Sequence, residues 1–144
     1  IRTFQATHPD SAILQLDCTN AFNTVDRQAI LDEVARHFPC LLDFVWQWYG
    51  TPAQLWYDTD THPTTYTSCE GTQQGDPAGP VLFALALHPV LQRIHAAAVV
   101  DSATGYLDDV FLCAATHNAN EALAIARREL RTFKSYALVH STQN

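Results

Sequence analysis

The chain has 144 residues, 47% of them hydrophobic and 16% charged, which is enough for one compact domain with a core and too few for two. Its longest apolar stretch, GPVLFALALHPV at positions 79–90, falls short of the ~20 residues that a membrane-spanning helix needs. Fifteen acidic side chains against eight basic ones give a formal net charge of −7. That is the wrong sign for a domain that binds nucleic acid unaided.

The first residue and the cysteines bear on the extent of the protein and on its cellular compartment. It begins with isoleucine and contains no methionine, so we expect it to be an excerpt from a longer protein. Its cysteines form neither a CxxC pair nor the closely spaced framework of a small secreted domain. We therefore expect buried thiols in a reducing, intracellular compartment. The four are Cys18, Cys40, Cys69 and Cys113.

The first third of the chain predicts a strand followed by two helices. Residues 12–17 (AILQLD) form an apolar run ending in an acid, which suits a buried strand that delivers a carboxylate to the edge of a sheet. From Asp26, apolar residues recur at helical spacing until Pro39 ends the run. A second apolar helix is expected at 41–49, before Gly50 and Pro52.

The middle of the chain predicts a hairpin, a loop and a long helix. Residues 54–58 and 64–69 are rich in aromatic and β-branched side chains around a polar turn. The glycine- and proline-dense segment GTQQGDPAGP at 71–80 predicts a loop, and a helix is expected at about 81–96. Two tryptophans, Trp46 and Trp48, are expected in the core, as is Trp56 unless its hairpin exposes it.

The last third predicts a second hairpin, a helix and a final strand. Two short apolar runs, 105–107 and 110–114, flank Asp108 and Asp109, which are expected to form a two-residue turn at the hairpin tip. An amphipathic helix capped by Asn118 or Asn120 reaches Phe133, and a short strand is expected at 137–140. The order β-α-α-β-β-α-β-β-α-β predicts an α+β fold, an antiparallel sheet with helices packed on one face.

Three carboxylates, Asp17, Asp108 and Asp109, are expected to meet where the first strand ends and the second hairpin turns. Two negative charges about 4 Å apart repel by roughly 4 kcal/mol at an effective dielectric constant near 20, so such a cluster needs a cation. Oxygen ligands favour Mg²⁺, and two such ions suit in-line displacement at phosphorus. The alternative is an ordinary acidic turn beside an unrelated strand-terminal acid.

Three segments occur in an order that resembles motifs A, B and C of a reverse transcriptase palm domain. They are ILQLDCTNAFNTVDRQAIL at 13–31, GTQQGDPAGPVLFALALHPVL at 71–91 and GYLDDVFLCA at 105–114. The AFN at 21–23 and the QQGDP of the second segment are most similar to the reverse transcriptases of retrotransposons without long terminal repeats. With the connecting elements, the resemblance covers nearly the whole chain as one partial domain, residues 1–144.

The resemblance implies an RNA-directed DNA polymerase that uses two Mg²⁺ ions, with Mn²⁺ as an alternative. Asp17 and Asp108 would be the metal ligands of motifs A and C, and Asp109 would complete the acidic cluster. The backbone carbonyl of Cys18 would touch the second ion, and Tyr106 would lie beside the primer end. The implied partners are an RNA template with a DNA primer and deoxynucleoside triphosphates, without a membrane.

The resemblance also implies a nucleotide pocket. Phe22 matches the aromatic position beneath the sugar of the incoming nucleotide, where a rigid ring leaves no room for a 2′-hydroxyl. Gln74 and Gly75 match the loop that lines the same pocket, and glycine allows a close backbone approach. Without the resemblance, Phe22 is equally well explained as a core residue.

The departures from the family pattern set limits on these expectations. Basic fingers segments, a thumb and the lysine expected near Gln143 or Asn144 are absent from the chain, and Ala78 replaces a usual leucine. We therefore expect the isolated chain to extend primers poorly. The rival interpretations are an RNA-dependent RNA polymerase palm, which should have a polar residue in place of Phe22, and a non-catalytic relic or RNA-binding scaffold.

Overall fold

A computed structural model of the chain describes residues 8–58, 64–73 and 75–133, together with the backbone of 136–138. Strands and helices follow one another in the predicted order, with a short extra helix after β1 and two single 3₁₀ turns, at Pro39–Leu41 and Thr116–Asn118. The elements are β1 (Ser11–Thr19), α1 (Ala21–Thr24), α2 (Arg27–His37), α3 (Leu42–Tyr49), β2 (Ala53–Tyr57), β3 (Thr64–Ser68), α4 (Gly79–His95), β4 (Ser102–Tyr106), β5 (Asp109–Ala115), α5 (Ala119–Thr132) and β6 (Tyr136–Leu138). The predicted α+β class is confirmed.

The chain divides into two compact units. The sheet unit comprises Ile1–Ala21 and Leu87–Asn144, and the loop unit comprises Phe22–Ala86. The division falls within α4, so the first half of that helix belongs to the loop unit and the second half to the sheet unit.

The sheet unit is built on a four-stranded antiparallel sheet with strand order β4-β5-β1-β6. Leu14, Leu16 and Cys18 of β1 alternate with more exposed residues, and Val110 and Leu112 of β5 lie opposite Leu16 and Leu14 on the same buried face. Helix α5 packs against this sheet. Because side chains alternate along a strand, Asp17 and Asp109 lie on the opposite, more open face.

Within the sheet unit, the second half of α4 lies close to β4. A Cβ atom added at Gly105 of β4 would lie 3.1 Å from Leu91 Cδ1 and 3.2 Å from Leu87 Cδ2. Glycine therefore lets the helix approach this strand closely. Gly105 shares the buried face of the sheet because its register partner is Val110.

The loop unit packs α2 against α3 and carries the separate two-stranded sheet of β2 and β3. Asp26 caps α2, since its side chain accepts a 2.9 Å hydrogen bond from the backbone N–H of Gln28. Both helices carry buried apolar side chains. These side chains are Ile30, Leu31, Val34, Val45 and Tyr49.

Several sequence expectations about burial are wrong. Trp46 and Trp48 are 50% and 56% exposed on α3. Trp56, for which the sequence left exposure open, is 77% exposed on the β2–β3 hairpin. These short elements bury only part of their aromatic surface within the loop unit. Cys40 and Cys69 are also exposed, so the expected burial of thiols holds for Cys18 alone in full, with Cys113 half-buried.

Other expectations were right in kind but differ at their bounds. The last strand was predicted at 137–140 and lies at Tyr136–Leu138, while the remainder of that prediction falls outside the described residues. The predicted turn of the β2–β3 hairpin, around 62–63, also falls outside them. In the described part of the chain, no helix is both long and apolar enough to cross a bilayer.

Candidate nucleotidyl-transfer site

Two acids face each other across the centre of the four-stranded sheet. Asp17 near the end of β1 is the direct register partner of Asp109, the first residue of β5. Like charges directly opposite each other destabilise an antiparallel pair. One oxygen of Asp109 accepts a 3.0 Å hydrogen bond from Nε2 of Gln15, which lies two residues before Asp17 on the same face. The side chain of Asp17 is exposed.

The β4–β5 turn differs by one residue from the sequence prediction. Tyr106 pairs with Asp109, so the two central residues of the turn are Leu107 and Asp108, and Asp109 lies in the strand instead of at the tip. Leu107 has a φ of 54°, a positive value at the first central position as in a type II′ hairpin. No glycine marked this turn, so the sequence alone could not place it.

Asp108 remains beside the acidic pair despite this shift. Its backbone carbonyl accepts a 3.3 Å hydrogen bond from the backbone N–H of Cys18, the residue that follows Asp17. This hydrogen bond holds the main chain of the turn against that of β1, next to the acids. Tyr106, the residue expected near the primer end, is 71% exposed at the end of β4.

The Cys18 thiol is influenced by all three carboxylates. Burial raises its pKa to about 11, with further contributions in the same direction from the charges of Asp17, Asp108 and Asp109. The charges of the three acids therefore all act on this one buried thiol. The raised pKa keeps this thiol protonated and unreactive at neutral pH.

We expect the cysteines to differ sharply in their reaction with iodoacetamide. At pH 8, Cys40 and Cys69 should be alkylated rapidly because they are exposed, while Cys18 should stay unmodified because it is buried and protonated. Peptide mass spectrometry with and without denaturant measures the difference. Alkylation of Cys18 in the folded protein at the rate of Cys40 would contradict this account of the acidic site.

A divalent ion fits the chemistry of this site. The ion pairs within 4.0 Å among the described residues involve Glu33 and Glu129, and none includes the three aspartates. The same described residues contain no group of three side chains already placed to hold a metal. Mg²⁺ commonly takes one or two carboxylates and completes its shell with water and substrate phosphates, so a facing acidic pair beside Asp108 is a suitable donor set.

Phe22 lies in the loop unit and is hydrogen-bonded to the start of the predicted loop at 71–80. Its ring stacks on that of Phe83 in α4, with centroids 4.4 Å apart and an interplanar angle of 29°. Its carbonyl accepts hydrogen bonds from the backbone N–H of Thr72 at 2.6 Å and from the Thr72 hydroxyl at 3.3 Å. Phe22 is half-buried, so part of its surface remains available to a ligand.

Gly75 lies in open space at the turn of this loop. It has a φ of +87°, and no atom lies within 4 Å of where a Cβ would be. It also borders a cavity of about 480 Å³ whose wall includes Trp48, Tyr49 and Asp76. The positive φ requires glycine or a strained residue. Gln74, the other predicted pocket residue, lies outside the described residues, so its role stays a prediction.

Two residues that support this loop were missed by sequence reasoning. Arg27 is buried and donates to the carbonyls of Gly71 and Ser68, and Tyr49 is buried and hydrogen-bonds Asp76. No local spacing signals these contacts, because the partners lie 27 to 44 residues apart in the sequence. An arginine at the start of an amphipathic helix and a tyrosine at the end of another look like ordinary surface and core residues.

Comparison with known proteins first defines the fold. The chain is similar to apo telomerase from Candida tropicalis truncated from its C-terminal domain, with a TM-score of 0.58 and 8% sequence identity. The similarity covers 99% of this chain and 33% of that one. The domain therefore has a telomerase-like α+β fold, which confirms the predicted palm-type architecture.

Sequence similarity then gives the family. The family model described as reverse transcriptase (RNA-dependent DNA polymerase) matches residues 2–141, and the chain belongs to this family. It is also 31% identical over 134 residues to the retrotransposable element SLACS 132 kDa protein of Trypanosoma brucei gambiense. That alignment covers 84% of this chain but only 11% of the relative. The resemblance to retrotransposon reverse transcriptases is confirmed.

Proposed function

We propose that this chain is the palm core of an RNA-directed DNA polymerase of a retrotransposon. It would extend a DNA primer on an RNA template with deoxynucleoside triphosphates. The observation that carries the proposal is the direct pairing of Asp17 with Asp109, beside Asp108, on the open face of the sheet in a reverse transcriptase family member. Like charges directly opposite each other destabilise a sheet, so the pair is best explained by a bound cation.

In this proposal, Asp17 and Asp108 hold two Mg²⁺ ions, and Asp109 supports them together with the carbonyl of Cys18. Bound there, the ions would stabilise the attacking 3′-oxygen and the departing pyrophosphate. One carboxylate oxygen of Asp109 already accepts a hydrogen bond from Gln15, which leaves it less available to a metal ion. A supporting role therefore suits it better than that of a principal ligand.

Phe22, Gln74 and Gly75 are proposed to form the nucleotide pocket, with Tyr106 beside the primer end. The packing of Phe22 on Phe83 supports a rigid ring, and rigidity is what exclusion of a 2′-hydroxyl requires. The open space beside Gly75 supports a ligand that lies against the backbone.

Primer extension with deoxynucleotides and ribonucleotides in parallel tests this function. The complete polymerase that we propose this chain to belong to should add deoxynucleotides in the presence of Mg²⁺. In Phe22→Ala, ribonucleotide incorporation should rise by at least about tenfold, because a methyl group no longer fills the space of the 2′-hydroxyl. The measurement is the ratio of kcat/KM for each nucleotide pair.

Two outcomes would count against the proposal. Absence of template-directed extension by the unaltered protein would favour a non-catalytic relic or scaffold. A preference of the unaltered protein for ribonucleotides would instead favour an RNA polymerase and remove the role assigned to Phe22. An alanine substitution at Phe38, an exposed aromatic residue outside the pocket, is the matched control and should leave the ratio unchanged.

A further inference from the structure

The segment Ser68–Ala78 is held by side chains from the ends of two helices. Arg27 is the first residue of α2, and Tyr49 is the last residue of α3. Both are buried, at 6% and 3% exposure. Their side chains also contact each other, since the Arg27 guanidinium carbon lies 5.5 Å from the centre of the Tyr49 ring.

Arg27 is a buried cation that binds backbone in place of an acid. Its Nε donates to the carbonyl of Gly71 at 2.9 Å, while its terminal nitrogens donate to the carbonyl and hydroxyl of Ser68, each at 2.9 Å. Within the described part of the chain, no carboxylate forms an ion pair with it. Burying a guanidinium is costly unless it is well hydrogen-bonded, so these three bonds fix the start of the loop firmly.

Tyr49 fixes the other end of the loop. Its hydroxyl donates to Oδ2 of Asp76 and accepts a 3.3 Å hydrogen bond from the backbone N–H of Gln73. Only Gln74 and Gly75 lie between those two partners. The second oxygen of Asp76 accepts from the backbone N–H of Ala78 at 2.8 Å, so the carboxylate also joins the loop to the start of α4.

The protonation state of Tyr49 suits this arrangement. Burial and the hydrogen bond with Asp76 raise its pKa to about 12. The phenol therefore keeps its proton at every pH at which a polymerase is assayed, and it remains a donor to Asp76.

We propose that Tyr49 and Asp76 are positioning residues that hold the loop at Gly75 in the conformation that receives the incoming nucleotide. This inference rests on the proposed polymerase function and adds two residues that touch no substrate. The hydroxyl bridges the residues on either side of the turn, so its loss frees the turn without altering the hydrophobic packing of the ring. Nucleotide binding is therefore the step that depends on it, while binding of the primer and template does not.

The variant Tyr49→Phe tests the inference because it removes one oxygen and keeps the ring on Arg27. In the complete polymerase, KM for the deoxynucleotide should rise about tenfold, the size expected for losing one hydrogen bond to a charged group. The value of kcat and the Kd for primer-template should each stay within about twofold of the unaltered protein. Asp76→Asn should raise the same KM, and the double variant should show no more than the larger single effect.

Tyr66→Phe is the matched control, since Tyr66 lies exposed on β3 and takes no part in the loop; it should leave KM unchanged. A purely structural role for Tyr49 would lower the melting temperature and the active fraction while leaving KM for the nucleotide unchanged, and that result would overturn the inference alone. Absence of any extension by the unaltered polymerase would overturn the proposed function and this inference with it.

Discussion

Replacement of Asp108 by asparagine is expected to abolish primer extension while leaving the fold intact. The change removes one negative charge from the acidic cluster but keeps the size of the side chain and the backbone carbonyl that accepts from Cys18. If Asp108 holds a divalent ion, kcat should fall by at least about a thousandfold, which corresponds to ~4 kcal/mol of transition-state stabilisation. Single-turnover primer extension in the complete polymerase measures the loss.

The control for this variant is the same chemical change at the far end of the same strand. Asp101 is exposed and immediately precedes β4, whereas Asp108 lies beyond the other end of β4. Asp101→Asn should therefore extend primers normally. The melting temperature of Asp108→Asn should be unchanged or slightly raised, since the variant relieves repulsion among like charges. Near-normal extension by Asp108→Asn would refute its assignment as a metal ligand.

For the acidic cluster, the sequence could predict which strand ends carry the acids but not the register between the strands. Apolar runs ending in acids predicted a strand end and a hairpin that could bring Asp17 near Asp108 and Asp109, and they left an ordinary acidic turn as the alternative. They could not fix the register, because a shift of one residue depends on which residue takes the positive φ, and here that residue is Leu107. The shift puts Asp109 directly opposite Asp17 and leaves Asp108 as the one acid of the two central turn residues.

The supports of the pocket loop were beyond sequence reasoning for a different reason. Hydrophobic periodicity predicted α2 and α3 correctly, since a helix repeats its pattern locally. Arg27 and Tyr49 act instead through single polar atoms on partners far along the chain. The tryptophans of α3 show the opposite failure. Their hydrophobicity predicted burial, but the loop unit offers too little surface to cover them.

Substitution of Gly71 by alanine is expected to cause the largest loss of stability of any change to the pocket loop. Gly71 has a φ of +75°, and an added Cβ would lie 2.3 Å from the carbonyl oxygen of Asn23 and 2.4 Å from its carbonyl carbon. Backbone atoms cannot turn aside as a flexible side chain can. The main chain must shift, which weakens the 2.8 Å bond from Gly71 N–H to the Val25 carbonyl and the bond from Arg27.

We expect this variant to lose at least about 4 kcal/mol of unfolding free energy, or about 10 °C or more in melting temperature. Gly75→Ala separates the cost of the positive φ from the cost of the clash with Asn23. Gly75 also has a positive φ, but no atom lies within 4 Å of an added Cβ. It should lose only about 1–2 kcal/mol, the cost of the backbone conformation. Thermal unfolding of both variants measures the difference. Equal losses would mean that backbone conformation alone requires glycine at position 71, and that the close approach to Asn23 does not exist.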